Sequence, residues 1–159
     1  MQSAIAQTSD STTVGGKSIT GVRIVRDNVP QAFTSTTSST WTDFPGAQTP
    51  ITVPSSTRAI ILVRFTAESA CSGNDSGYCN LRVLVNGTEA QPASGDLFAW
   101  DDSNGSNVPN HQSHAMDRSI GPLEPGTYTV KLQWKTNPAG SGLTFYLDDW
   151  SMTVEKIKV

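Results

Sequence analysis

The chain predicts an all-β fold, an antiparallel β-sandwich of the jelly-roll type. Three observations predict it. In Gly126 to Lys135, GTYTVKLQWK, the residues Tyr128, Val130, Leu132 and Trp134 point one way, and Thr127, Thr129, Lys131, Gln133 and Lys135 the other. That alternation gives a strand one buried and one wet face. No stretch sustains a helical period. Strand-like segments recur at sandwich-like spacing, with Gly and Pro turns between them. The 159 residues suffice for one domain with a core. They divide into a polar arm, residues 1–17, and a single jelly-roll domain, residues 18–159.

The elements follow in order. The arm is polar, rich in Ser, Thr and Gly, and reads as a segment without a core of its own. Its start, MQSAIAQTSD, lacks the basic head and apolar segment of a signal peptide; Ala4-Ile5-Ala6 resembles the small-x-small end of one, as a trimmed precursor would leave, and the plainer reading is an ordinary polar arm. Ser18 to Arg26 is the first strand, with Val22 and Ile24 expected to point inward. Asn28 to Ser39 is Thr/Ser-rich, anchored by Phe33. Thr40 to Phe44 and Thr49 to Val53 read as two short strands separated by a Pro45-Gly46 turn.

Arg58 to Glu68, RAIILVRFTAE, is the most hydrophobic stretch. Ala59, Ile61, Val63, Phe65 and Ala67 form its core face, while Ile60 and Leu62 make the opposite face apolar too. A strand apolar on both faces is covered on both sides. The second cover is a loop or another subunit, which makes Ile60 and Leu62 candidate oligomer-interface residues. Asn80 to Val85 is a strand with Leu81, Val83 and Val85 inward, and Asn86-Gly87 after it is a hairpin signal. Glu89 to Asn110 reads as irregular, and Gln112 to Ile120 as one further strand. In the last strand, Leu143, Phe145 and Leu147 share one phase and Trp150, Met152 and Val154 the next. The slip at Asp148-Asp149 predicts a bulge.

Composition narrows the function. The formal net charge is -3, and the basic residues are scattered. A nucleic-acid surface needs clustered Lys and Arg, so no nucleic-acid partner is expected. No apolar run approaches the length of a membrane-spanning helix, and no membrane insertion is expected. Cys71 and Cys79 flank the polar loop SGNDSGY. They read as a disulfide pinning a loop tip, which implies an oxidising compartment or an exposed particle surface. The other reading is two free thiols. Two cysteines are too few for a structural zinc site.

His111 and His114, in HQSH, are the only histidines. Imidazoles with a nearby carboxylate suit several divalent metals, and at an interface they respond to pH. The plainer reading is two loop histidines. Asp101 to Asn107, DDSNGSN, is oxygen-rich, and an irregular calcium site is the one cofactor considered there. Trp100 lies in the same polar loop. With Asp96, Asp101, Asp102 and Asn104 around it, an exposed indole would stack a sugar ring and the polar groups would hydrogen-bond it. The competing reading has Trp100 folding back to plug the end of the sandwich. Trp134 and Trp150 sit on buried strand phases, and Trp41 starts a short strand.

The carboxylates Asp96, Asp101, Asp102, Asp117 and Glu124 include no pair whose spacing singles it out for glycoside hydrolysis. No G-x-S-x-G surrounds a serine. Gly15-Gly16-Lys17-Ser18 ends like a phosphate-binding loop but has Ser11 where that motif requires glycine. An enzyme is not expected. Asn74-Asp75-Ser76, Asn86-Gly87-Thr88 and Asn104-Gly105-Ser106 match the N-glycosylation pattern.

The polar arm, the apolar strand Arg58 to Glu68, the GTYTVKLQW strand and the closing strand together resemble the tumour necrosis factor-like jelly rolls. That superfamily includes the complement-type globular heads. The resemblance runs over roughly residues 18–157. It implies a homotrimer without cofactor that acts by surface recognition, and similar jelly rolls serve as decoration or fibre-head proteins on viruses. The expected function is therefore a structural or interaction protein, extracellular or on a virion or cell surface, whose partners are its own copies and a larger particle. The alternative is a carbohydrate-binding module built on Trp100, with a surface glycan as partner. A hydrolase using carboxylates of the same loop is the third reading.

Overall fold

The computed structural model of the chain describes residues 19–27, 33–73, 77–103, 105–139 and 142–159. The predicted arm, Asn104 and the Asn74-Asp75-Ser76 pattern lie outside the described residues. Ten strands follow in order: β1 (Ile19–Arg26), β2 (Thr34–Thr36), β3 (Thr42–Val53), β4 (Ala59–Ser72), β5 (Tyr78–Val85), β6 (Thr88–Glu89), β7 (Asp101–Asp102), β8 (Gln112–Leu123), β9 (Gly126–Asn137) and β10 (Thr144–Lys158).

They form two antiparallel sheets. Sheet one has the order β1-β10-β4-β8, with β2 also on β10. Sheet two has the order β3-β9-β5-β6, with β7 on β5. From β3 to β10 the chain passes between the sheets at nearly every connection, and it stays within sheet two for the β5–β6 hairpin and β7. This winding makes the sandwich a jelly roll.

The core lies between the sheets because each long strand alternates. Ile61, Val63 and Phe65 of β4, with Met152 and Val154 of β10 beside them in sheet one, face Leu81 and Val83 of β5 and Val130 and Leu132 of β9 in sheet two, all completely buried. Aromatic rings fill the middle: Phe44 meets Phe65, Trp134 and Trp150 edge-on, with centroids 4.8 to 6.3 Å apart, a favoured ring geometry. Cys71 and Cys79 form the predicted disulfide, which ties β4 of sheet one to β5 of sheet two.

Local details follow from residue chemistry. Asn86 and Gly87 both take positive φ, as the tight β5–β6 hairpin demands. The bulge at Asp148-Asp149 is present: β10 advances from Asp148 to Ser151 while β4 moves only from Glu68 to Thr66. One extra residue, with Asp149 at φ 46°, turns both Leu147 and Trp150 inward.

Three expectations change. Residues 42–53 form one strand, with Pro45-Gly46 a bulge instead of a turn: β3 advances from Asp43 to Gln48 while β9 moves from Gln133 to Lys131. Phe44 and Ala47 are both buried and hold the chain on course, and Gly46 takes φ 83° beneath Trp150. Val22 and Ile24 point outward, because β1 pairs them with Glu155 and Thr153. Val25, opposite Met152, is the residue that packs on the core. The strand predicted to end at Glu68 runs on to Ser72, with Ala70, Cys71 and Ser72 buried.

Candidate functional site

Two regions carry the residues singled out by sequence. The first is the outer face of sheet one. Its cross-strand rows read Ile19–Ile157–Ile60, then Val22–Glu155–Leu62, then Ile24–Thr153–Arg64–Asp117. Ile60 and Leu62 are half-buried, while Ile19, Val22 and Ile24 are 51, 46 and 54 % exposed. Ile19, Val22, Ile24, Ile60, Leu62 and Ile157 thus form an aliphatic patch on a sheet face. It gives way to polar groups at the Arg64–Asp117 ion pair, 3.0 Å long. Glu155 and Thr153 of β10 interrupt the patch between the β1 and β4 residues. Sequence reading found Ile60 and Leu62 and missed β1's share, because Val22 and Ile24 had been assigned to the core.

The second region is the segment between β6 and β8. Trp100 is 5 % exposed, packed on Phe65 and His114, and its backbone N–H donates to the Cys79 carbonyl. It plugs the sandwich, and its indole face is not available to stack a sugar. Asp101 also turns inward: Ser69 Oγ donates to its Oδ2 at 2.7 Å and the Asp102 N–H to its Oδ1 at 2.8 Å. His114 Nε2 lies 3.8 Å from the same carboxylate. Burial pushes the Asp101 carboxyl above its ordinary value, against the opposing Ser69 hydrogen bond and the His114 charge. Asp102 is exposed on β7.

Asp96 belongs elsewhere. It lies over the outer face of sheet two, where Lys135 Nζ donates to it at 2.6 Å and holds its carboxyl below the usual range. The loop acids are therefore drawn to different neighbours. Among the described residues no three His, Cys, Asp or Glu side chains converge as metal ligands. The His111 ring lies tilted against Phe33, with centroids 4.4 Å apart, and does not join His114 in a cluster of ligands. Of the other carboxylates considered, Asp117 pairs with Arg64 and Glu124 with Arg58. A cavity of about 190 Å³ between β1 and β3, lined by Val22, Arg23, Ile51 and Lys156 among others, falls short of ordinary ligand pockets, which begin at roughly 300 Å³.

Sequence reading also missed Trp41. Its indole sits beside Arg82, 4.4 Å from the ring centroid, and Lys135, 5.0 Å away. Both cations lie on the polar phase of their strands, so a surface reading of each was natural. The register that joins them to Trp41 involves β3, β9 and β5 and leaves no local mark. No protein-family model matches the chain, and neither does any curated protein.

Proposed function

We propose that the protein is a non-catalytic structural or interaction protein of an extracellular or particle-surface assembly. It acts as a homo-oligomer joined through the outer face of sheet one. One observation carries this reading: six aliphatic side chains share that face, and three of them are about half-exposed. Burial of such surface contributes about 25 cal/mol per Å² of apolar area. Three copies that turn this strip toward a shared threefold axis bury it against one another through a heterologous contact that closes. The resemblance to the tumour necrosis factor-like jelly rolls supplies the stoichiometry of three. The disulfide is compatible with an extracellular location. Multi-angle light scattering on the full chain, beside Ile24→Glu and Leu62→Glu, tests the reading. The wild type is expected as a trimer and both variants as folded monomers. A monomeric wild type would contradict it.

A further inference from the structure

On the outer face of sheet two, β5 and β9 set three cross-strand pairs in a ladder: Tyr78–Asn137, Asn80–Lys135 and Arg82–Gln133. Residues two apart share a face, so all six side chains stand together. The loop after β6 lies against this ladder and places Asp96 on it. Lys135 Nζ donates to Asp96 Oδ1 at 2.6 Å. Tyr78 Oη and Asn137 Nδ2 both donate to the Asp96 carbonyl, at 2.8 and 3.0 Å. One ammonium and two neutral donors, from two strands, thus receive a carboxylate and a neighbouring neutral oxygen.

The receiving lysine is buried and the side chain it receives is exposed. The Lys135 side chain is 8 % exposed, with its ammonium by the Trp41 ring, whereas the Asp96 side chain is 76 % exposed. The loop's other tie to β6 is separate: Glu89 Oε1 accepts the N–H groups of Ser94 and Gly95, at 2.6 and 3.4 Å. The Asp96 carboxylate is thus not what anchors the base of the loop.

Asn80 points to what would replace it. It sits in the middle of the ladder, is completely buried, and neither its Oδ1 nor its Nδ2 has a hydrogen-bond partner. Native structures seldom leave a buried amide without partners. An amide needs a donor and an acceptor at once, which a hydroxyl-bearing ligand offers. A carboxylate for Lys135, an oxygen acceptor for Tyr78 and Asn137, and hydroxyls for Asn80 are the groups of a sugar acid.

We propose that the Tyr78–Asn80–Lys135–Asn137 ladder is a binding site for acidic saccharides of the uronic-acid class, and that Asp96 occupies it as an intramolecular stand-in for the sugar carboxylate. The site lies on the sheet opposite the self-association face, so either assignment can fail without the other.

Calorimetric titration of the full chain with trigalacturonic acid tests this. Its methyl ester serves as the neutral control and hexa-aspartate as the acidic peptide control. The wild type is expected to bind the acid weakly and the ester not at all. Asp96→Ala removes the competitor and is expected to tighten binding by about tenfold, as when a competent state is freed. Asp96→Asn, which removes the charge but leaves an amide oxygen within reach of Lys135, is expected to tighten it less. Asn80→Leu is expected to raise the melting temperature and weaken binding, whereas a purely structural amide would lower the melting temperature when removed. The proposal is overturned if Asp96→Ala binds no better than wild type. It is equally overturned if ester and acid bind alike, if hexa-aspartate binds as tightly as the acid, or if no variant binds.

Discussion

Asp101 is the residue at which burial and charge compete most directly. Its carboxyl lies above the ordinary 3.8, because loss of water outweighs the Ser69 hydrogen bond and the His114 charge. A folded-state value above the unfolded one means that the folded chain binds this proton more tightly. The group's contribution to stability is then fully present below the ordinary value and falls as pH rises through the raised one. Asp43 and Asp96 run the other way: hydrogen bonds from Lys131 and Lys135 lower them, so their contributions hold at neutral pH and fade below the ordinary value. Melting temperatures of wild type and Asp101→Asn between about pH 3 and pH 7 separate the two signs. The difference is expected to shift toward the variant as pH rises, and a flat difference would show that Asp101 does not titrate with folding. The sequence marked Asp101 as a candidate but not its direction. A carboxylate beside a tryptophan in a polar loop reads as exposed, and only the packing of Trp100 against Phe65 turns the pair inward.

At the scale of elements, the inner face was legible wherever a strand had one apolar phase. β9 and β5 show this, with Val130, Leu132, Leu81 and Val83 buried as expected. The bulge in β10 was legible because the apolar phase visibly slips at Asp148-Asp149. β1 was not, since Val22 and Ile24 on one phase and Val25 on the other are both apolar, and the partner strand decides between them. Two predictions belong here. Phe65 is completely buried against Phe44, Trp100 and Trp150, so Phe65→Ala should cost about 3–5 kcal/mol in denaturant unfolding. A loss under about 1 kcal/mol would mean that the aromatic centre is not packed as described. The disulfide closes a sequence separation of 8. Replacing both Cys71 and Cys79 by Ala should remove about 2–3 kcal/mol and lower the melting temperature by roughly 5–10 °C for a chain of this size. An unchanged melting temperature would show that the sheets need no tie there.

For the whole molecule, the jelly roll follows from strands too long and too apolar to be buried by one sheet alone, joined by turns that carry the chain across. The aliphatic face proposed for self-association was half legible. The two-faced apolar strand marked Ile60 and Leu62 as apolar residues on the outer face, but the rest of the patch depends on β1 and β10 lying beside β4. Trp100, on which the glycan reading was placed, lies in the core, and nothing local distinguishes it from Trp41, which sits beside two cations. Ile24 is exposed and Leu62 half-buried in one subunit. Ile24→Glu should therefore change monomer stability by only about 0.5 kcal/mol while abolishing assembly. Sedimentation equilibrium of the full chain at micromolar concentration is the decisive measurement. The account predicts a mass about three times 17.0 kDa, consistent with closed cyclic assembly, and a return to 17.0 kDa with Ile24→Glu or Leu62→Glu. A wild-type chain that stays at 17.0 kDa throughout would contradict it.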